Sequence, residues 1–142
     1  MAIGKALFVA ALSITLTPVL GANPAHACSC VMGDATSWKK NADLVFKGKV
    51  MARHGKPNGG MDPIVYTFKV SRAYKGHVHR TEKVRTNGSS AACGVNLDGQ
   101  GPFLVYAHET DDGHRRLEMN LCGGTHALEK GEKVPYHGHR VR

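Results

Sequence analysis

Two cysteines a single residue apart, Cys28-Ser29-Cys30, constrain this chain more than any other feature, because only two further cysteines, Cys93 and Cys122, are present to pair with them. A bond between Cys28 and Cys30 would close a very tight ring, outside the usual reach of a disulfide. Both must therefore reach Cys93 and Cys122, which leaves two possible pairings. Either pairing straps one short segment to two distant parts of the chain. In the chain-entropy picture each such link stabilises the fold by ~4 kcal/mol. Oxidation requires export, and the preceding residues supply it. Lys5 gives a positive start, residues 6–20 are largely apolar, and Ala25-His26-Ala27 offers small residues at a cleavage point, the layout of a removable secretory signal. The apolar run is shorter than the ~20 residues that span a bilayer, and His26 sits poorly where a lipid-attachment signal needs a small residue. Residues 1–27 are thus predicted to be cleaved, giving a secreted or periplasmic product with a free amine on Cys28 and no later membrane segment.

Cleavage leaves 115 of the 142 residues, enough for one domain. Lys and Arg number 19 against 11 Asp and Glu over the whole chain, and residues 1–27 hold one Lys and no acid, so 18 against 11 remain. The basic residues are scattered along the sequence, which predicts at most weak binding to polyanions. No pair of carboxylates, Ser/His/Asp set or phosphate-binding loop stands out, so the chain is not expected to be an enzyme. His77-Val78-His79 and His137-Gly138-His139 lie in polar stretches without a converging carboxylate or thiol, and a metal site needs several such ligands. The even cysteine count leaves no thiol for nucleophilic chemistry.

Periodicity indicates the architecture. Asp34 is placed to cap a short helix over Ala35-Thr36-Ser37-Trp38-Lys39-Lys40. Two-residue alternation follows at 42–50 and, most clearly, at 64–74, where Ile64, Tyr66, Phe68 and Val70 share one side. Weaker strands are expected at 82–86, at 93–97 and at 115–121, with a buried strand at 103–108 and a brief helix capped by Thr125. Residues from 131 onward are expected to form a loose polar tail. Asn87-Gly88-Ser89 matches a glycosylation sequon. Short strands separated by regular turns mark an all-β barrel or sandwich, and an aromatic content of 6% favours a compact barrel.

Taken in order, Cys28-Ser29-Cys30-Val31, the strand Ala42-Asp43-Leu44-Val45-Phe46-Lys47-Gly48-Lys49-Val50, the block Ser89-Ser90-Ala91-Ala92-Cys93-Gly94-Val95-Asn96-Leu97-Asp98, the run Phe103-Leu104-Val105-Tyr106-Ala107 and the closing Leu121-Cys122 resemble the amino-terminal, netrin-like domain of the tissue inhibitors of metalloproteinases. The resemblance covers about residues 28–130 and leaves 131–142 as the tail. It implies a five-stranded OB-type β-barrel with short flanking helices and two disulfides, Cys28–Cys93 and Cys30–Cys122. It also implies a secreted, monomeric inhibitor of zinc metalloendopeptidases that has no cofactor of its own and acts on the zinc of its target. In that family the amine nitrogen and carbonyl oxygen of the first residue, here Cys28, chelate the zinc, and the second side chain, here Ser29, enters the neighbouring pocket. Cys30 and Val31, with the Ser89, Ser90 and Ala91 turn, would extend the contact.

Elementary chemistry accommodates that role. A catalytic zinc keeps one coordination position open, and an α-amine with pKa ~7.7–8.0 is partly neutral near pH 7. One residue's nitrogen and carbonyl oxygen close a five-membered chelate ring. In an extended segment alternate residues point the same way, so Cys28 and Cys30 would turn inward and Ser29 outward. The alternative is an extracytoplasmic binding module for a polyanion or protein that does not inhibit proteases. The chain departs from the family where Lys40 stands in place of a cysteine, removing a third disulfide, and where Met32-Gly33 replaces prolines of several members, which predicts a more flexible terminus.

Overall fold

The computed structural model describes residues 28–57, 60, 62–99 and 101–142. The expected signal segment, 1–27, lies outside the described residues. A short helix α1 (Ala35–Asn41) is followed by strands β1 (Leu44–His54), β2 (Ile64–Lys75), β3 (Thr81–Thr86), β4 (Pro102–Glu109), β5 (Leu117–Glu118), β6 (His126–Ala127) and β7 (His139–Arg140). The helix starts where Asp34 and Ser37 cap each other, the carboxylate accepting from the Ser37 amide and the Ser37 hydroxyl accepting from the Asp34 amide.

Five strands close into a barrel in the order β1-β2-β3-β5-β4, with β4 returning to pair with β1. The β3–β5 contact is parallel and the other pairings are antiparallel. Closure removes the free edges that an open sheet would expose. Alternation on β2 places Ile64, Tyr66, Phe68 and Val70 inside, as their spacing predicts. On β4 five consecutive residues, Phe103 to Ala107, are buried because the strand is covered on both faces. Phe103, Val105 and Ala107 fill the barrel, while Leu104 and Tyr106 join Ala42, Val45 and Leu128 in a second layer.

That layer lies beneath α1 and the last residues of the chain. Trp38, Tyr74, Val134 and Tyr136 pack against it. The Tyr136 hydroxyl shares a 2.9 Å hydrogen bond with Tyr106 and donates to the Ala35 carbonyl. The expected loose tail is therefore docked: β7 pairs with β2, and the Val141 amide donates to the Ser71 carbonyl. Two further expectations change. The alternating segment 93–97 is no strand, although Val95 and Leu97 are buried, because side chains satisfy its amides: Val95 donates to Thr86 Oγ1 (2.8 Å) and Leu97 to the Tyr66 hydroxyl (3.1 Å). Thr125 caps no helix; its hydroxyl accepts from the Tyr106 amide, and β6 follows it.

Candidate functional site

Three segments meet at one end of the barrel: residues 28–33, the 3-10 turn Ser90–Ala92 that leads into Cys93, and the 3-10 turn Leu121–Gly123. Cys28 bonds to Cys93 and Cys30 to Cys122, so all four thiols are oxidised. The two disulfides touch, with Cys28 Sγ 3.6 Å from Cys122 Sγ. The sulfurs of Cys28, Cys30 and Cys122 lie close enough to suggest a metal site, but a disulfide sulfur carries no thiolate for a metal to bind.

The supporting turns are joined to each other as well as to the terminus. The Leu121 amide donates to the Cys93 carbonyl at 2.8 Å. Asn120 caps its turn by accepting from the Cys122 amide, and Asn87 accepts from the Ser89 amide at 3.0 Å. Cys93 itself has φ +62°, a left-handed conformation uncommon outside glycine. It is held there by the disulfide and by the 3.1 Å bond from its amide to the Ser90 carbonyl.

The far end of the segment is fixed by Trp38. A Cβ on Gly33 would lie 2.5 Å from the indole nitrogen, and one on Gly124 would lie 2.3 Å from the ring. The indole is thus held between two backbones that only glycine lets approach so closely, and Gly124 also needs its left-handed φ of +86°. Gly33, in the place of a family proline, is a packing contact here.

With both ends tied, Ser29 and Cys30 are exposed and Cys28 is half-buried. Val31 and Met32 are 91% and 94% exposed, and Leu121 is exposed beside them. Three apolar side chains are thus held in water on a strapped backbone. Ser90 and Ala91 are exposed on the neighbouring turn and Ser89 is half-buried. The site residues expected from sequence are therefore brought together. Met32, Leu121 and the Trp38 clamp were not among them: the Gly123-Gly124 pair after Cys122 marks a turn, but nothing in the spacing links Gly124 to Trp38. Behind the Cys93 turn a cleft of about 330 Å³ is lined by Arg85, Asn87, Glu118 and Asn120 among others; a glycan on Asn87 would stand at its rim.

A five-stranded barrel whose amino-terminal segment is strapped outward by paired disulfides defines a small class of proteins. The sequence matches the family model described as Tissue inhibitor of metalloproteinase over residues 26–130. It is 31% identical over 107 residues to metalloproteinase inhibitor 2 of Homo sapiens, an alignment covering 70% of this chain and 48% of the relative. Metalloproteinase inhibitor 2 of Cavia porcellus is 31% identical over 114 residues (73% and 51%), and metalloproteinase inhibitor 3 of Xenopus laevis 24% identical over 115 residues (80% and 51%). The chain belongs to the tissue inhibitor of metalloproteinase family. It spans about half the length of the curated relatives it matches. Among its described residues, no helix is long and apolar enough to cross a membrane.

Proposed function

We propose that the protein is an exported inhibitor of zinc metalloendopeptidases. Residues 1–27 are removed, residues 28–130 form the acting domain, and the new α-amine and the carbonyl oxygen of Cys28 chelate the target's zinc in place of its hydrolytic water. Ser29 enters the pocket beside the metal. Cys30 and Val31 run along the cleft, and Ser89, Ser90 and Ala91 widen the contact. The inhibitor acts as a monomer and brings no cofactor; the zinc is the protease's own.

One observation carries this reading most directly: Ser29 is exposed between two cysteines that are both bonded into the barrel. Holding the segment in its bound shape beforehand lowers the ordering cost of association. Because the disulfides occupy the sulfurs, the α-amine nitrogen and the carbonyl oxygen of Cys28 remain as ligands for zinc. The amine must be neutral to bind, so inhibition should strengthen as pH rises through its pKa of ~7.7–8.0.

The test joins two measurements on exported protein. Intact mass should show a chain beginning at Cys28 with an unmodified amine, and that material should slow cleavage of a peptide by a zinc endopeptidase, more strongly at pH 8 than at pH 6.5. A different start, an acylated amine, or no inhibition by correctly processed protein would overturn the proposal.

A further inference from the structure

The link between β2 and β3 carries His77 and His79, whose rings meet edge to face with centroids 5.0 Å apart and an interplanar angle of 89°. Both residues are exposed, so the pair is open to solvent. A carboxylate does converge on it, from Glu82 of β3, three residues beyond His79. Glu82 is 4% exposed, and its Oε1 accepts from the His79 amide at 2.7 Å and lies 3.0 Å from His79 Nδ1. Arg115 braces the same turn, with Nη2 3.4 Å from Glu82 and donating to the His77 carbonyl at 2.7 Å. The backbone of both histidines is thus tied to a buried ion pair.

We propose that His77 and His79 bind one divalent transition-metal ion, Zn2+ or Cu2+, through one ring nitrogen each, Nε2 in the case of His79. Imidazole suits these ions. Two imidazole nitrogens at ~2.0–2.1 Å from a tetrahedral zinc put their ring centres about 5 Å apart, and the rings here already stand at that separation. A metal-bound histidine usually donates its other N–H to a carboxylate, which fixes the tautomer; Glu82 stands at Nδ1 of His79 in that role. Arg115 Nη1 also lies 3.0 Å from Nδ1. With metal on Nε2, Nδ1 keeps its proton for Glu82, and the guanidinium retains Glu82 and, at 3.2 Å, Glu109. Two carboxylates around one guanidinium leave a local charge that favours a further cation. Among the described residues no third ligand stands with the pair, so water fills the remaining positions. His137 and His139 share the spacing, but among the described residues their rings do not pair and no carboxylate meets either. The site precedes the start of β3, whereas the Cys93 turn follows its end. It is therefore separate from the strapped terminus, and it does not depend on the protease reading.

The test is calorimetric titration of the whole exported protein with zinc chloride in a buffer that does not bind metals. One ion should bind per chain, with two protein ligands in place of four giving a Kd of about 1–100 µM. A large excess of Mg2+ should not compete, because that ion wants oxygen ligands. His77→Gln, at an exposed position, should weaken zinc at least tenfold with an unchanged unfolding midpoint. Glu82→Gln keeps both imidazoles and should weaken it about tenfold by loosening the His79 tautomer. H137Q/H139Q should bind like wild type. Imidazole nitrogen NMR should show zinc shifting Nε2 of His79 while Nδ1 stays protonated. Absence of saturable zinc binding, equal weakening by H137Q/H139Q, or zinc on Nδ1 of His79 would overturn the proposal.

Discussion

Thr86 and Tyr66 do at the residue scale what a neighbouring strand does elsewhere in the barrel. Thr86 Oγ1 accepts from the Val95 amide and the Tyr66 hydroxyl from the Leu97 amide, both in buried surroundings. Thr86→Val should leave the Val95 amide without a partner and cost about 1–3 kcal/mol, read as a lower urea midpoint with an unchanged slope; an unchanged midpoint would show that another group satisfies the amide. At Gly124 the left-handed backbone and the indole ring act together. Gly124→Ala should destabilise by more than ~1 kcal/mol and redden Trp38 fluorescence as the clamp opens, and native fluorescence would contradict the clamp. Asp34 supplies a pH signature. The Ser37 amide, and after it the Ser37 hydroxyl, hold its carboxyl below the ordinary aspartate range. Its folded value being depressed, the cap's contribution is full above the unfolded value of ~3.9 and fades as pH falls through the folded one. Asp34→Ala should therefore be less stable than wild type at pH 6, and the gap should close below about pH 4.

Among the elements, β2 and β4 were legible in sequence because their side-chain spacing follows burial directly, alternating on β2 and continuous on the doubly covered β4. The cysteines likewise announced the strapped terminus. Segment 93–97 misled because its apolar side chains alternate while its amides bond to side chains, and periodicity records only the former. The tail misled in the opposite way: His139 and Arg140 are polar, but β7 docks through backbone hydrogen bonds that carry no sequence pattern. Tyr136 makes that docking testable. Tyr136→Ala should cost less than the ~3–5 kcal/mol of a fully buried aromatic, read as a lower urea midpoint, and an unchanged midpoint would contradict the docking. The Tyr106 hydroxyl beneath it is driven well above its usual pKa by burial first and by the Tyr136 hydrogen bond second. A raised value means that this stability is present below the unfolded pKa of ~10 and is lost as pH climbs towards the folded one. Alkaline unfolding should accordingly set in at lower pH for the wild type than for the Tyr106→Phe variant, which has no proton to lose; coincident curves would place the alkaline weak point elsewhere. Replacing Cys30 and Cys122 together by Ala should cost about 2–5 kcal/mol, and a smaller loss would mean that the Cys28–Cys93 bond and the Trp38 clamp suffice to hold the segment.

For the molecule as a whole, the barrel separates two surfaces with different chemistry. One is a nearly neutral ridge from Ser29 to Met32 beside the Cys93 turn; the other is a basic face where Lys49 stands opposite Lys69, Lys47 opposite Arg72, and Arg72 opposite Arg140. The net charge was visible in composition, but its convergence was not, because Lys47, Lys69 and Arg140 meet only through strand register. The central claim concerns the ridge, and specifically the backbone atoms of Cys28 rather than its sulfur. The most direct measurement compares protein beginning at Cys28 with a form carrying one added Ala before it, the disulfide map and unfolding midpoint being shown equal for both. If the amine and carbonyl of Cys28 chelate the protease zinc, the extended form should lose inhibition while the authentic form retains it; equal inhibition by the two would contradict the account.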